Sequence, residues 1–186
     1  MDNASYIYTI GHGGRKIEEF VGLLQLHHIR YVVDVRSKPR SRFYPHFNKD
    51  NLHRQLLSQG IGYLFLGDSL GGLPSDPECY DDQGHVVYDA LRGKAYFQEG
   101  LNRLVSANEK RINIACMCSE INACECHRSK LIGTSLSELK IQMLHINRAG
   151  SIETQESVMR DVLNSDGDQD LFTTTSSSLK SRKPYR

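Results

Sequence analysis

The sequence predicts an α/β fold: a Rossmann-like three-layer sandwich with about five mainly parallel strands flanked by helices. Three observations carry that expectation. Short runs rich in β-branched and aromatic residues alternate with stretches of helical periodicity. The helical stretches are long enough to cross back over a sheet between parallel strands. Most of the runs end in glycine, proline or charged residues, as strand-to-helix loops do.

The elements follow in order. "SYIYTI" (5–10) reads as the first strand and ends in the turn "GHGG". Ile17, Phe20, Val21 and Leu24 recur at helical spacing, which predicts an amphipathic helix over 15–28. "RYVVDVR" (30–36) is the second strand. Asn48 stands where a helix N-cap would, before Leu52, Leu56 and Leu57, and Gly60 stops that helix. "IGYLFL" (61–66) is the third strand. Residues 67–93 read as a long loop with room for a hairpin or a helical turn. Phe97, Leu101, Leu104 and Val105 mark a further helix, and "RINIACMC" (111–118) the fourth strand. A helix is expected to start near Cys124–His127 and to carry Leu131 and Ile132. "LKIQMLHI" (139–146) is the fifth strand, and a last helix falls near 154–164. From about Asn164 the chain becomes polar, rich in Ser and Thr, and basic at its end. The expected organisation is one α/β domain over 1–163 and a disordered tail over 164–186, or a tail ordered only by a partner.

Composition narrows the function classes. Of 186 residues, 39% are hydrophobic and 24% charged, which is ordinary for a globular domain. The net charge of +1 carries no global polyanion signature, so any basic site must be local. The N-terminus lacks a basic stretch leading into an apolar run, and no apolar segment approaches the roughly 18 residues that cross a bilayer. The expected place is the cytoplasm, with no membrane partner. Thiols stay reduced there, so clustered cysteines point to metal or catalysis rather than disulfides. The odd total of five cysteines argues the same way.

Parallel sheets bind ligands beyond the carboxyl ends of their strands. The loops expected at that edge are "GHGG", "DVRSKPRSRFYPHF", "GDSLGGLP" and "CSEINACECHR", which hold every unusual polar cluster of the chain. In the second loop and just beyond it, Arg36, Lys38, Arg40, Arg42, Lys49 and Arg54 outnumber Asp34 and Asp50, and Phe43, Tyr44 and Phe47 can stack on bases. A solvated basic loop, with an arginine tied to Asp34, is the plainer account. Gly11 and His12 lie in a tight turn before a helix, where backbone amides can hold an anion. His12 could serve as ligand or acid/base, or simply cap the turn. Gly71 and Gly72 allow backbone to approach a ligand closely, or form a plain turn.

The last loop is the densest. Side-chain alternation puts Ile112, Ile114, Cys116 and Cys118 on one strand face, so Cys116 is expected in the core and Cys118 at the strand end. Cys124 and Cys126 fall near a helix start, which favours the thiolate. Glu120 is a candidate acid/base and Arg128 faces the same edge. The spacing Cys-x-Cys-x5-Cys-x-Cys-His is not that of a zinc knuckle, and position 122 is Asn122, so no Cys-x5-Arg phosphatase loop ends at Arg128. Cys-x-x-Cys is absent as well.

Together, "TIGHGG", "VVDVRSKPRSRFYPHF", "GIGYLFLGDSLGG" and "CSEINACECHR" resemble the domain of unknown function family 488 across residues 6–147. Its Cys-x-Glu and Cys-His-Arg pattern falls on Cys118, Glu120, Cys126, His127 and Arg128. Its second element falls on Asp34, Arg36, Pro39, Ser41, Arg42 and Pro45. Cys116 and Cys124 lie outside the pattern. The resemblance implies the fold and the place of the site but assigns no reaction.

The expected function is an enzyme acting on a phosphorylated or nucleotide-like substrate, free or within nucleic acid. Glu120, Cys126, Cys118 and Asp34 are the candidate catalytic residues. Arg36, Arg42 and Arg128 would hold the anion, with Gly11, His12, Ser41, Gly71, Gly72 and His127 beside them. The alternative is a non-catalytic module that binds metal or nucleic acid, with zinc or iron held by Cys118, Cys126 and His127 or His12. A redox sensor or partner-binding protein is a third option.

Overall fold

In a computed structural model that describes residues 6–165 and 179–185, the alternating segments pair into one six-stranded sheet. Its strands are β1 (Ile7–Gly11), β2 (Tyr31–Asp34), β3 (Gly62–Phe65), β4 (Ile114–Cys118), β5 (Met143–Ile146) and β6 (Ile152–Thr154). The helices are α1 (Ile17–Leu26), α2 (Lys49–Ser58), α3 (Gly67–Leu70), α4 (Tyr88–Arg92), α5 (Ala95–Glu109), α6 (Thr134–Glu138) and α7 (Gln155–Ser165). The spatial order is β3-β2-β4-β1-β5-β6, all parallel except β6, which runs antiparallel to β5. This is the expected Rossmann-like sandwich. The added sixth strand is short and carries no apolar run, and its pairing with β5 makes it a strand.

The period of two along β4 divides the core. Ile114, Cys116 and Cys118 face one layer, with Ile112 packed against it, among Leu70, Leu91, Phe97, Leu101 and Leu104. Ala115 and Met117 face the other, with Phe20 and Leu24 of α1 and Leu52 and Leu56 of α2. β4 lies between β2 and β1, and Cys116 is fully buried, both as expected.

Several local expectations change. The long loop 67–93 holds α3, a 3-10 turn at Pro77–Cys79, a bridge between Tyr80 and Val86, and α4. The helix expected near Cys124 is a 3-10 turn, Ala123–Glu125, followed by a π-helical stretch, Arg128–Gly133, that runs into α6. Asn48 precedes α2, but its side chain does not cap the helix; Asn48 Oδ1 accepts from the Ser41 amide at 2.6 Å. The stretch read as a disordered tail begins inside α7. Its far end, Leu179–Tyr185, is bound to the body, with Lys180 bridged to Val87 and the Tyr185 amide donating to the Gly84 carbonyl. Residues 166–178 lie outside the described ones. No helix among the described residues is long and apolar enough to cross a membrane.

A buried polar chain ties the sheet to the loop after β4. His145 on β5 meets Gln155 Oε1 at 2.8 Å and Thr9 Oγ1 at 2.7 Å. The amide oxygen only accepts, so Nε2 carries the proton and Nδ1 accepts from the Thr9 hydroxyl. Gln155 Nε2 donates onward to the Ser129 carbonyl (3.0 Å), and Ser129 Oγ donates to the Ala123 carbonyl (2.6 Å). Burial pushes His145 down to about 4, and burial followed by the Arg36 charge does the same to His12. Both rings are therefore neutral in the fold and charged in the unfolded chain below pH 6.5. The stability they confer is complete above that value and is lost as pH falls towards about 4, on the order of 3 kcal/mol each. Urea midpoints measured across that window are expected to fall steeply with acid, and less steeply in His145→Asn. Parallel curves for the two proteins would contradict this account.

Candidate functional site

The site is built where β4, β1 and β2 end. β4 stops at Cys118, whose partner in β1 is Gly11. The chain then turns through Glu120 and crosses directly over the end of β1. A Cβ on Gly11 would lie 1.9 Å from the Glu120 carbonyl oxygen, so no larger residue lets the turn pass. The 3-10 turn Ala123–Glu125 delivers Cys126 and His127 back to the end of β4.

Four groups meet there. Cys118 Sγ lies 2.7 Å from Glu120 Oε2 and 3.7 Å from His127 Nδ1. Cys126 Sγ lies 3.4 Å from the same carboxylate oxygen and 3.7 Å from the same ring nitrogen. His127 Nε2 donates to the Val35 carbonyl at 3.0 Å, which fixes that proton and aims Nδ1 at both sulfurs. Gly72 permits the ring's position, since a Cβ there would come within 2.7 Å of its Cγ.

The two thiols differ electrostatically. Burial opposes the Cys126 thiolate, but the hydrogen bond from Cys118 and the charges of His127 and Arg128 outweigh it and hold the thiol well below its ordinary range. Its hydrogen bond to Cys126, then burial, then the Cys126 and Glu120 charges keep the Cys118 proton in place well above that range. Burial works against the His127 imidazolium, yet the Cys126 thiolate beside it raises the ring above its usual value. Cys126 is thus the thiol of the pair held low, and His127 the neighbouring ring held high. Burial raises Cys79, Cys116 and Cys124, with Cys116 at about 12.

These groups form the floor of a cavity of about 190 Å³. Arg36 and Lys38 of the loop after β2 line it, as do Tyr88 and Glu125. So do Arg182, Lys183 and Tyr185 of the C-terminal segment.

A model of the family described as domain of unknown function DUF488 matches residues 16–134. The chain belongs to the DUF488 family. No curated protein and no solved structure matches it. The matched span holds the whole floor of the cavity but not the C-terminal residues on its wall.

Within this DUF488 domain, the residues singled out from the sequence separate into two groups. Arg36, Gly72, Cys118, Glu120, Cys126 and His127 line the cavity. The others do not. Asp34 is fully buried and accepts from Arg36 Nε at 2.9 Å, Arg36 Nη2 at 2.6 Å and the Tyr63 hydroxyl at 2.7 Å. It therefore positions Arg36. Arg128 is also fully buried, and its guanidinium donates to the carbonyls of Glu120 (2.6 Å) and Ile121 (2.9 Å). These bonds shape the turn.

Arg42 is exposed on the loop before α2, outside the cavity, and Ser41 Oγ accepts from the Tyr44 amide in the same loop. Gly11 and Gly71 serve close backbone packing. His12 stacks on Phe47 with ring centres 4.3 Å apart, and its Nε2 faces Arg36 Nη1 at 3.3 Å. Among the described residues, the group close enough to share a metal is Cys118, Cys126 and His127, without His12. The sequence reading missed Tyr88, and it gave the basic tail a grip on phosphate only in the non-catalytic binding alternative. The basic "KSRKPYR" at the chain end was the available signal.

Proposed function

We propose that this DUF488 protein is an enzyme, a hydrolase or transferase, acting on a phosphorylated or nucleotide-like substrate at the cavity where the parallel strands end. Cys126 is its nucleophile, Glu120 moves the proton, and cations at the cavity wall hold the phosphate. One observation carries the reading: the Cys126 sulfur lies 3.7 Å from a histidine nitrogen and 3.4 Å from a carboxylate oxygen, in a pocket that Lys38 also lines. The thiolate is the attacking form, and a thiol held below its ordinary range is more ionised at neutral pH than a free one.

The test is alkylation of the native protein by iodoacetamide, read residue by residue. Cys126 is expected to react roughly a hundredfold faster than Cys116. Because its thiol lies well below the usual range, its rate should stay flat through neutral pH and fall only in acid. A phosphorylated compound that occupies the cavity should slow it. Labelling of Cys126 no faster than Cys116 would sink the nucleophile.

A second reading has its own observation. Cys118 Sγ, Cys126 Sγ and a His127 nitrogen lie within 4.8 Å of one another. Tetrahedral zinc, with Zn–S about 2.3 Å and Zn–N about 2.0 Å, would separate a thiolate and an imidazole by about 3.5 Å, and the two S···N distances are 3.7 Å. The His127 N–H bound to a backbone carbonyl is the usual outer partner of a metal-bound ring. Stoichiometric zinc or iron in the purified protein, with Cys126 labelling that rises only on chelation, would favour a metal-binding module over the enzyme.

A further inference from the structure

We propose that the C-terminal strap, Leu179–Tyr185, is part of the substrate site, and that Arg182 and Lys183 form its phosphate-binding subsite. The proposal rests on the reading of the cavity as the place where an anionic substrate binds.

The strap is fixed to the body along its length. Its Leu179 carbonyl accepts from the Tyr88 amide at 2.9 Å, and Ser181 and Val86 exchange two hydrogen bonds at 2.9 Å each, one through Ser181 Oγ. Ser181 Oγ also donates to the Lys183 carbonyl at 2.8 Å, which curls the chain so that the next side chains turn to the cavity. The Tyr185 amide closes the segment on the Gly84 carbonyl at 2.7 Å, and Lys180 pairs with Asp81 at 2.8 Å. Leu179 packs against the core, and Ser181 is buried. This anchoring presents Arg182, Lys183 and Tyr185 on the same cavity wall that faces Cys126 and Glu120.

The charge inventory explains why the cavity needs the strap. Arg36 is committed to Asp34 and to the Phe47 carbonyl. Arg128 is committed to two carbonyls of the turn. That leaves Lys38, Arg182 and Lys183 as the cavity cations able to reach a ligand, against the carboxylates of Glu120 and Glu125. Arg182 pairs with Glu125 at 3.0 Å, with both side chains well exposed. An exposed pair of that kind is weak, so a phosphate dianion can draw the guanidinium away. Lys183 makes no ion pair among the described residues. Two of the three available cations thus come from a segment outside the span matched by the family model.

The experiment titrates the full-length protein with inorganic pyrophosphate by calorimetry. Arg182→Ala with Lys183→Ala is expected to weaken binding by roughly tenfold or more. Arg182→Lys with Lys183→Arg keeps both charges and should keep most of the affinity. Arg30→Ala with Lys110→Ala removes two exposed cations at the opposite edge of the sheet and should leave the affinity within about twofold. Wild-type protein that does not bind pyrophosphate overturns the proposal, and so does a strap variant that binds as tightly as wild type. Equal losses in the strap and control variants overturn it too. Cys126 alkylation is read on the same samples. Strap-dependent pyrophosphate binding beside an unreactive Cys126 would remove the nucleophile and leave the strap standing. A reactive Cys126 beside strap-independent binding would do the reverse.

Discussion

Asp34→Ala is expected to destabilise the protein by roughly 3–5 kcal/mol. Asp34 is fully buried at the end of β2 and accepts from the Arg36 amide, Arg36 Nε and Nη2, and the Tyr63 hydroxyl. Arg36 is only 3% exposed. Removing the carboxylate leaves a guanidinium in a nearly dry environment with its counter-charge gone. The Phe47 carbonyl at 2.8 Å and the His12 ring cannot replace that charge. Tyr63 loses its acceptor as well. Denaturant midpoints of Asp34→Ala, Arg36→Ala and the double variant form the measurement. The double variant should cost clearly less than the two singles together, because no buried charge is left unpaired in it. Additive losses would mean that the pair is not coupled as described.

Arg128→Ala should be comparably severe, at roughly 3–5 kcal/mol. Two carbonyls of the turn, those of Glu120 and Ile121, lose their donors, and a fully buried side chain leaves a void. Arg128→Lys should recover only part of the loss, since one ammonium cannot supply two parallel N–H groups to adjacent carbonyls. A second readout separates shape from charge. The Arg128 charge helps hold the Cys126 thiol low, so the alkylation profile of the alanine variant should move to higher pH while that of the lysine variant stays near wild type. A stability change below about 1 kcal/mol would place Arg128 among ordinary surface residues, against its burial.

Much of the architecture was legible in the chain because it follows from local repetition. Alternation along "RINIACMC" was enough to put Cys116 inside and to divide the faces of the central strand, since a strand has a period of two whatever surrounds it. Parallel strands share one direction, so the loops after β1, β2, β3 and β4 had to meet at one edge, and with them Arg36, Gly72, Glu120 and Cys126. β6 escaped notice because three residues with no apolar pattern become a strand only beside β5. Cys126, Glu120 and His127 lie close together in the chain, but which thiol is held lower depends on contacts made by folding, the hydrogen bond from Cys118 and the His127 and Arg128 charges acting on Cys126.

The sequence by itself determined the layered α/β sheet, the edge at which its polar loops gather, and the loop that holds the Cys/His cluster. Hydrophobic period, strand direction and turn residues are local or repeated properties that survive any particular packing. Only the tertiary structure decided what each charge does there. Arg36, Arg42 and Arg128 are equivalent in composition, yet one lies paired beneath the cavity wall, one stands in solvent, and one is sealed under a turn. Whether a guanidinium meets a carboxylate, a carbonyl or water depends on how the loops fold back on the strand ends. The strap shows the same dependence: a polar, basic stretch carries no apolar period of its own, and its place was settled by hydrogen bonds to Val86, Tyr88 and Gly84 that exist only once the body has folded.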